Sequence, residues 1–467
     1  MTIGIIIFSI FFLTLALTRL DYALCVLIAA LPAYLIRFSI FGLPSTLLEL
    51  MILTTFTVWF FKNWLPNYKE RKKNNFKKVA YPFFREIIAL IILSFVSVAV
   101  AGFTTSALGI WKAYFFEPIL VFILVINICR DKKQWQKILW SFLLSMTAIS
   151  IVAIYQKITG KFITNEFWAN EATRRIISFF EYPNAVGLYL APLIPLLFGW
   201  LFSLPQRTTT IKTLKKLLII GVIISSLAAI LFARSEGALV GIAVSLFIFG
   251  FLANKKIRTI TLSLSAIILA IVIFYAPLKN LVIQKITFSD LSGQIREQQW
   301  KETFQALKGT KIITGAGLAN YQKTVAPYHQ EGIFFNSDNI PNFDAVTWAS
   351  STLRARYWQP VEIYLYPHNI FLNFWSEIGL LGAIIFIWLM LKAALIAYQS
   401  FKYLNQENSS EKYLALGLMS SLICIFVHGL VDVPYFKNDL AVMFWVFIAF
   451  IGLIDLSKKT KQNNINN

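Results

Sequence analysis

Charge is scarce in this chain, and acidic charge most of all. Only 14% of its 467 residues are charged, with 23 Asp and Glu against 43 Lys and Arg, and there are three histidines and three cysteines. A soluble protein carries about 25% charged residues, so an ordinary soluble domain is excluded. Cys25, Cys129 and Cys424 fall in or beside apolar blocks without metal-like spacing, and are read as small apolar packing residues. The sequence shows no Asp-x-Asp metal pair, no Walker-type phosphate loop and no dinucleotide domain, which argues against chemistry on a soluble nucleotide-sugar. The first apolar block, Thr2–Thr18, lacks a basic leader and a small-residue cleavage site, and is read as a retained span.

What is present is hydrophobic, 57% of the chain. The apolar residues come in blocks of about 16–22, enough to cross ~30 Å of hydrocarbon as helix. Uninterrupted blocks indicate helices, because barrel strands would alternate. The spacing predicts spans near 2–18, 22–36, 44–61, 86–102, 113–129, 138–155, 184–203, 217–233, 236–253, 259–276, 370–391, 414–431 and 439–455. The expected fold is therefore an all-α polytopic transmembrane bundle of 12–13 spans, with the N-terminal pair as the uncertain count. It divides into N-terminal spans (1–276), one large partly helical loop (277–367), C-terminal spans (368–456) and a short polar tail (457–467) expected to be unstructured.

A net charge of +20 could suggest nucleic acid, but the basic residues lie between spans. Six connectors, Lys62–Arg85, Arg130–Lys137, Arg207–Lys216, Lys255–Arg258, Lys392–Lys412 and Lys458–Lys461, hold 25 of the 43. All fall on one side of the predicted topology. The positive-inside rule makes that side cytoplasmic, tail included, and puts the large loop on the opposite face of the inner membrane. Within the loop, Gly293–Gly309 reads as a helix and Thr314-Gly315-Ala316-Gly317 breaks it. The aromatic-rich stretch that follows should be folded.

Polar residues at span ends are the candidates for chemistry. Arg234 sits between two apolar blocks, where a guanidinium either binds phosphate or snorkels and pairs with Glu236. His368 lies at the mouth of the span after the loop, as a base or as an interface residue, and Asn369 beside it can cap that helix. Glu377 lies too far along the helix to reach His368 and should meet a neighbouring helix or backbone, where Gly379 and Gly382 leave room. His428 and Asp432, four apart, could share a helical face and read first as a packing pair. Asn184, after Pro183, is a candidate N-cap, with Arg174 and Arg175 just before it. Arg296 either holds phosphate or stacks on Trp300.

Five segments, taken in order across 174–450, resemble the O-antigen ligase and O-antigen polymerase superfamily of membrane-embedded glycosyltransferases. They are Phe180-Glu181-Tyr182-Pro183-Asn184 with Gly187 and Pro195, and Ala233-Arg234-Ser235-Glu236-Gly237. Then come Arg296…Trp300…Gly315-Ala316-Gly317-Leu318-Ala319-Asn320-Tyr321, and His368-Asn369-Ile370-Phe371-Leu372 with Glu377, Gly379 and Gly382. Last is His428-Gly429-Leu430-Val431-Asp432. Ser178 stands where the family often has Gly, and Ala233 where it often has Ser.

The resemblance implies transfer of a glycan from undecaprenyl pyrophosphate to an acceptor hydroxyl, on a lipid A core or another surface acceptor, at the outer face of the inner membrane. His368 would be the base or acceptor-orienting group. Arg234 and Arg296 would hold the pyrophosphate, with Arg174, Arg175, Arg354 or Arg356 as helpers and Asn184 and Asn369 near substrate. Glu377, His428 and Asp432 would support them. No cofactor or metal is called for if arginines supply the charge. The partners would be the lipid-linked donor, a glycolipid or other acceptor and the bilayer, with no nucleic acid. The alternatives are a polymerase joining lipid-linked repeat units, or a lipid-linked oligosaccharide transporter. A transporter would favour short loops and midplane polar sites.

Overall fold

The computed structural model describes residues 2–40, 42–68, 81–205, 209–407 and 409–466. Backbone that faces lipid must satisfy its own hydrogen bonds, and these residues are helical almost throughout. Two small antiparallel hairpins are the exceptions, Arg37–Ile40 with Leu43–Thr46 and Gly332–Phe334 with Trp358–Pro360. Among the described residues, eight helices are long and apolar enough to cross a membrane, among them Pro183–Ser203, Thr210–Ala233, Glu236–Ala253 and Ile370–Gln406. The other expected spans are shorter helices: Thr2–Thr18, Leu20–Ala29, Leu47–Trp59, Phe84–Val100 and Lys412–His428. The chain is a multi-pass membrane protein with an all-α fold.

Burial separates interior helices from peripheral ones. The apolar window of the helix at Asn438–Lys459 is 89% buried inside the bundle, whereas that of Lys255–Phe274 is 0% buried. Lys255–Phe274 packs on Glu236–Ala253 through contacts such as Thr261 with Gly250 and leaves most of its apolar surface uncovered, a surface that is stable against hydrocarbon.

Polar contacts sort the connectors to two ends. Lys137 Nζ meets Asp21 at 2.6 Å, Lys132 pairs with Glu411, Lys62 Nζ donates to the Leu17 carbonyl, and Asn254 Nδ2 donates to the Tyr413 hydroxyl. These gather several basic connectors at one end. Lys69, Arg71, Lys72, Lys73, Lys77, Lys78 and Arg207 lie outside the described residues. At the other end, Ile176 N–H donates to the Phe232 carbonyl and Ile370 N–H to that of Gly429.

The segment between the spanning helices ending at Phe274 and beginning at Ile370 is folded. It holds the helices Ala276–Ile286 and Leu291–Ala306, several shorter ones, and the second hairpin. Glu302 anchors it from within, accepting from Gln330 N–H at 3.0 Å and lying 3.2 Å from His329 Nδ1. The segment seats on the bundle where Gly379 (φ 79°, ψ 172°) interrupts the helical path inside Ile370–Gln406. Any side chain there would collide with the Ile313 carbonyl oxygen. The freed Ser376 carbonyl accepts from Ala316 N–H at 2.6 Å, and Glu377 accepts from Ala319 N–H at 2.8 Å. Glu377 thus meets loop backbone.

Three details differ from expectation, and a fourth explains a departure from the family pattern. The helix predicted to run through 431 ends at His428, so Asp432 lies in the following turn and not on the same helical face as His428. Pro183 begins its helix as the first residue and Tyr182 is the N-cap, because proline's fixed φ suits the first turn. Asn184 is therefore inside the helix with its side chain free for other work. The C-terminal tail continues as helix to Asn466. Ser178 adopts a left-handed φ of 53°, the backbone that favours glycine, and is held there by Gln156 Oε1, which accepts from its N–H at 2.7 Å.

Candidate functional site

Arg234 ends the helix Thr210–Ala233 as a left-handed C-cap (φ 53°, ψ 43°). His368, just before the helix Ile370–Gln406, is also left-handed, at φ 46°. Such a backbone costs a non-glycine residue about 1–3 kcal/mol and persists where surrounding contacts fix it. The fixing contacts are on both sides of each residue. Arg234 N–H donates to Leu231 and Ser235 N–H to Ile230. Asn369 caps its helix by accepting from Phe371 and Leu372 N–H, and donates to the Leu430 carbonyl at 3.1 Å. Pro367 accepts the Trp300 indole N–H at 2.8 Å, which ties the loop helix Leu291–Ala306 to the residue before His368.

These turns open on one cavity of about 650 Å³, lined by Arg175, Asn184, Arg234, Arg296, His368, His428 and Asp432 among others. A polar chain crosses it. Arg175 donates from Nε to the Ala233 carbonyl and from an NH2 group to Asn184 Oδ1, both at 3.1 Å. Asn184 Nδ2 donates to Asp432 Oδ2 at 3.3 Å, and Asp432 Oδ1 stands 3.7 Å from His368 Nδ1. Burial would raise the Asp432 carboxyl, but the His368 imidazole beside it outweighs that and holds it down at about 2. His368 itself is wedged edge-on between the rings of Tyr364 and Tyr366, at 5.2 and 5.0 Å. Gly237 lets the imidazole of His428 approach the turn after Arg234, since a Cβ there would lie 2.9 Å from His428 Cδ2.

The cavity has a surplus of positive charge. Burial and the nearby Arg234 both push the Arg175 pKa down, the sign of two guanidiniums sharing a partly dry space. Arg296 reaches Ser292 through Nη1, and its buried Nε has no hydrogen-bond partner among the described residues. Of the acidic residues, Asp432 is engaged with His368 and Asn184, and Glu236 with Lys285 at 2.6 Å. Guanidiniums in this arrangement suit a phosphate or pyrophosphate group, which they can grip bidentately. Among the described residues no group of three or more His, Cys, Asp or Glu is arranged to hold a metal ion.

Other candidates lie elsewhere. Arg174 donates to the Lys157 and Ala169 carbonyls and braces the turn near Gly160. Arg354 and Arg356 are on the loop helix Ser351–Tyr357, where Arg356 pairs with Asp338 at 2.8 Å. Asn369 faces an adjoining apolar cavity of about 870 Å³, which shares Glu236, Gly237, Arg296 and Val431 with the polar one. Trp300 meets Phe288 edge-on. Sequence reasoning did not foresee the Asp432–His368 contact or the Lys285–Glu236 pair. The first is a turn beyond a helix end, and the second joins segments 49 positions apart with no spacing signal.

A polytopic helical membrane protein with a cationic cavity beside an apolar one is the class this geometry defines. Residues 220–387 match the family model described as O-Antigen ligase, which places that stretch in the O-antigen ligase superfamily and supports a ligase- or polymerase-type function. The matched stretch carries Arg234, Arg296, His368 and Glu377, while Arg175, Asn184, His428 and Asp432 reach the cavity from outside it. Comparison with curated proteins finds no match.

Proposed function

We propose that the chain is a glycosyltransferase that moves a glycan from undecaprenyl pyrophosphate to an acceptor hydroxyl, at the outer face of the inner membrane. The observation that carries this reading is the convergence of Arg175, Arg234, Arg296 and His368 on one cavity beside an apolar one. The guanidiniums hold the donor pyrophosphate, and the apolar cavity takes the start of its lipid. His368 accepts the proton of the acceptor hydroxyl as that oxygen bonds to the anomeric carbon. The bond from that carbon to the pyrophosphate oxygen breaks, and the lipid pyrophosphate leaves with the bonding pair. Negative charge builds on the leaving group, so preorganised donors accelerate the step, each worth about 3–4 kcal/mol. Arginines can supply that charge without a metal. The basic connectors gather at the end away from this cavity, which supports an outward-facing site and a cytoplasmic C-terminus.

The test is a reconstituted assay with lipid-linked donor, offering both a lipid A-core acceptor and a second lipid-linked repeat, with chelator present in one arm. Product size separates ligase from polymerase. His368→Ala should lose transfer by roughly 10²–10⁴ while remaining in the membrane. Full activity of that variant would sink the mechanism, and abolition by chelator would sink arginine-only stabilisation.

A further inference from the structure

A second cavity, of about 290 Å³, lies across a thin wall from the first. Tyr182 lines both, and the Tyr366 hydroxyl donates to that of Tyr182 at 3.4 Å. The other side of the Tyr366 ring meets His368. The Tyr182–Tyr366 pair thus stands between this cavity and the imidazole.

The lining of this second cavity is amphipathic in a specific way. Tyr114, Tyr182 and Tyr366 present ring faces and edges, and Asn373, Gln322 and Lys437 present hydrogen-bonding groups. Asn373 is only 2% exposed, and its Oδ1 has no partner among the described residues. Lys437 Nζ is likewise without a hydrogen-bond partner, held 4.4 Å from the Phe180 ring centroid and 3.7 Å from Asp439. Lys437 is occupied by that ion pair and by the rings of Tyr34, Phe180 and Tyr182, so the unpaired group is the Asn373 acceptor, which is favourable when a ligand pairs with it. A lipid chain would leave it unpaired. The lining balances two acids, Glu181 and Glu377, against two bases, Arg37 and Lys437, with Glu181 and Arg37 paired at 3.7 Å, so it favours neither sign of charge. What fits is an uncharged ring with C–H faces for aromatics and hydroxyls for amides.

We infer that this cavity is a saccharide subsite that seats the acceptor's sugar ring, so that one hydroxyl passes the Tyr182–Tyr366 pair to reach His368. The inference rests on the proposed transfer reaction for its role, though not for its ligand class.

Two measurements on the purified full chain test it. Saturation-transfer NMR with methyl glucoside, methyl galactoside and methyl N-acetylglucosaminide reads binding directly. Wild type and His368→Ala should bind at least one of them, and Asn373→Leu and Gln322→Ala should lose it. In the transfer assay both variants should raise the acceptor KM about tenfold, the loss of roughly one hydrogen bond to the ligand, and leave the donor KM unchanged. No glycoside signal in wild type, or an unchanged acceptor KM in both variants, would overturn the subsite. A signal that both variants lose, with no transfer by wild type, would refute the proposed reaction and leave a saccharide pocket standing. Gln322 lies in the loop, so a folding failure of Asn373→Leu does not remove the test.

Discussion

His368 and Asp432 stand 3.7 Å apart, although 64 positions and two spans, Ile370–Gln406 and Lys412–His428, separate them in the chain. The contact exists because Ile370 N–H donates to the Gly429 carbonyl at 2.7 Å and Asn369 to that of Leu430, which lock the two turns together. A carboxylate beside a base fixes the imidazole's orientation and stabilises the cation that forms when it takes a proton. Asp432→Asn keeps the shape and removes the charge. We expect kcat to fall at least tenfold with donor KM little changed, since Asp432 acts through His368. Steady-state kinetics with separate donor and acceptor titrations check this. A change confined to donor KM would reassign Asp432 to pyrophosphate binding.

The same pair makes a prediction about acid. The folded Asp432 carboxyl is held at about 2, below its ordinary value. A depressed carboxylate contributes stability that is fully present above its unfolded value of about 4 and is lost as pH falls through its folded one. Thermal melts of the detergent-purified protein should therefore show an acid loss between about pH 4 and 2 that shrinks in Asp432→Asn. Identical acid limbs in the two proteins would show that the carboxylate is not specially stabilised.

Arg234 is expected to matter through geometry as well as charge. In the proposed reaction Arg234→Ala removes a donor to the leaving pyrophosphate, for about 3–4 kcal/mol or 10²–10³ in kcat. Arg234→Lys keeps the charge but not the planar fork, and should recover only part of it. Arg356→Ala, whose partner Asp338 lies in the loop, should stay near wild type. Radiolabelled glycan transfer measures all three. Equal losses in Arg234→Ala and Arg356→Ala would mean that the loop arginines share the work.

Much of this architecture was legible in the sequence. Span existence follows from uninterrupted apolar blocks, and the folded loop from its aromatics. Arg234 and His368 stand out as polar residues at span ends, and Arg296 as a cation on the predicted loop helix. What periodicity could not supply was the course of the chain just past a helix end. Treating 428–432 as helical pairs Asp432 with His428, whereas the turn at Gly429 swings it towards His368. Reading Asn184 as an N-cap uses up a side chain that instead bridges Arg175 to Asp432. Arg174 and Arg175 are neighbours with equal chemistry, and only the packed turn decides that one braces backbone while the other enters the cavity.

The loop's hold on His368 runs through Trp300, whose indole donates to the Pro367 carbonyl at 2.8 Å. Trp300→Phe leaves an aromatic ring beside Phe288 but deletes that donor along with one ring of the indole. One such bond is worth about 0.5–1.5 kcal/mol, too little to unfold the protein. It does position the residue preceding a strained, left-handed histidine, and misplacement by about 1 Å can cost ~10²-fold in rate. Trp300→Phe should therefore lower kcat by more than its small shift in melting temperature would suggest. Activity and thermal stability measured on the same preparation decide it. A loss of activity no larger than the loss of folded protein would mean that the loop merely covers the site and does not set His368 in place.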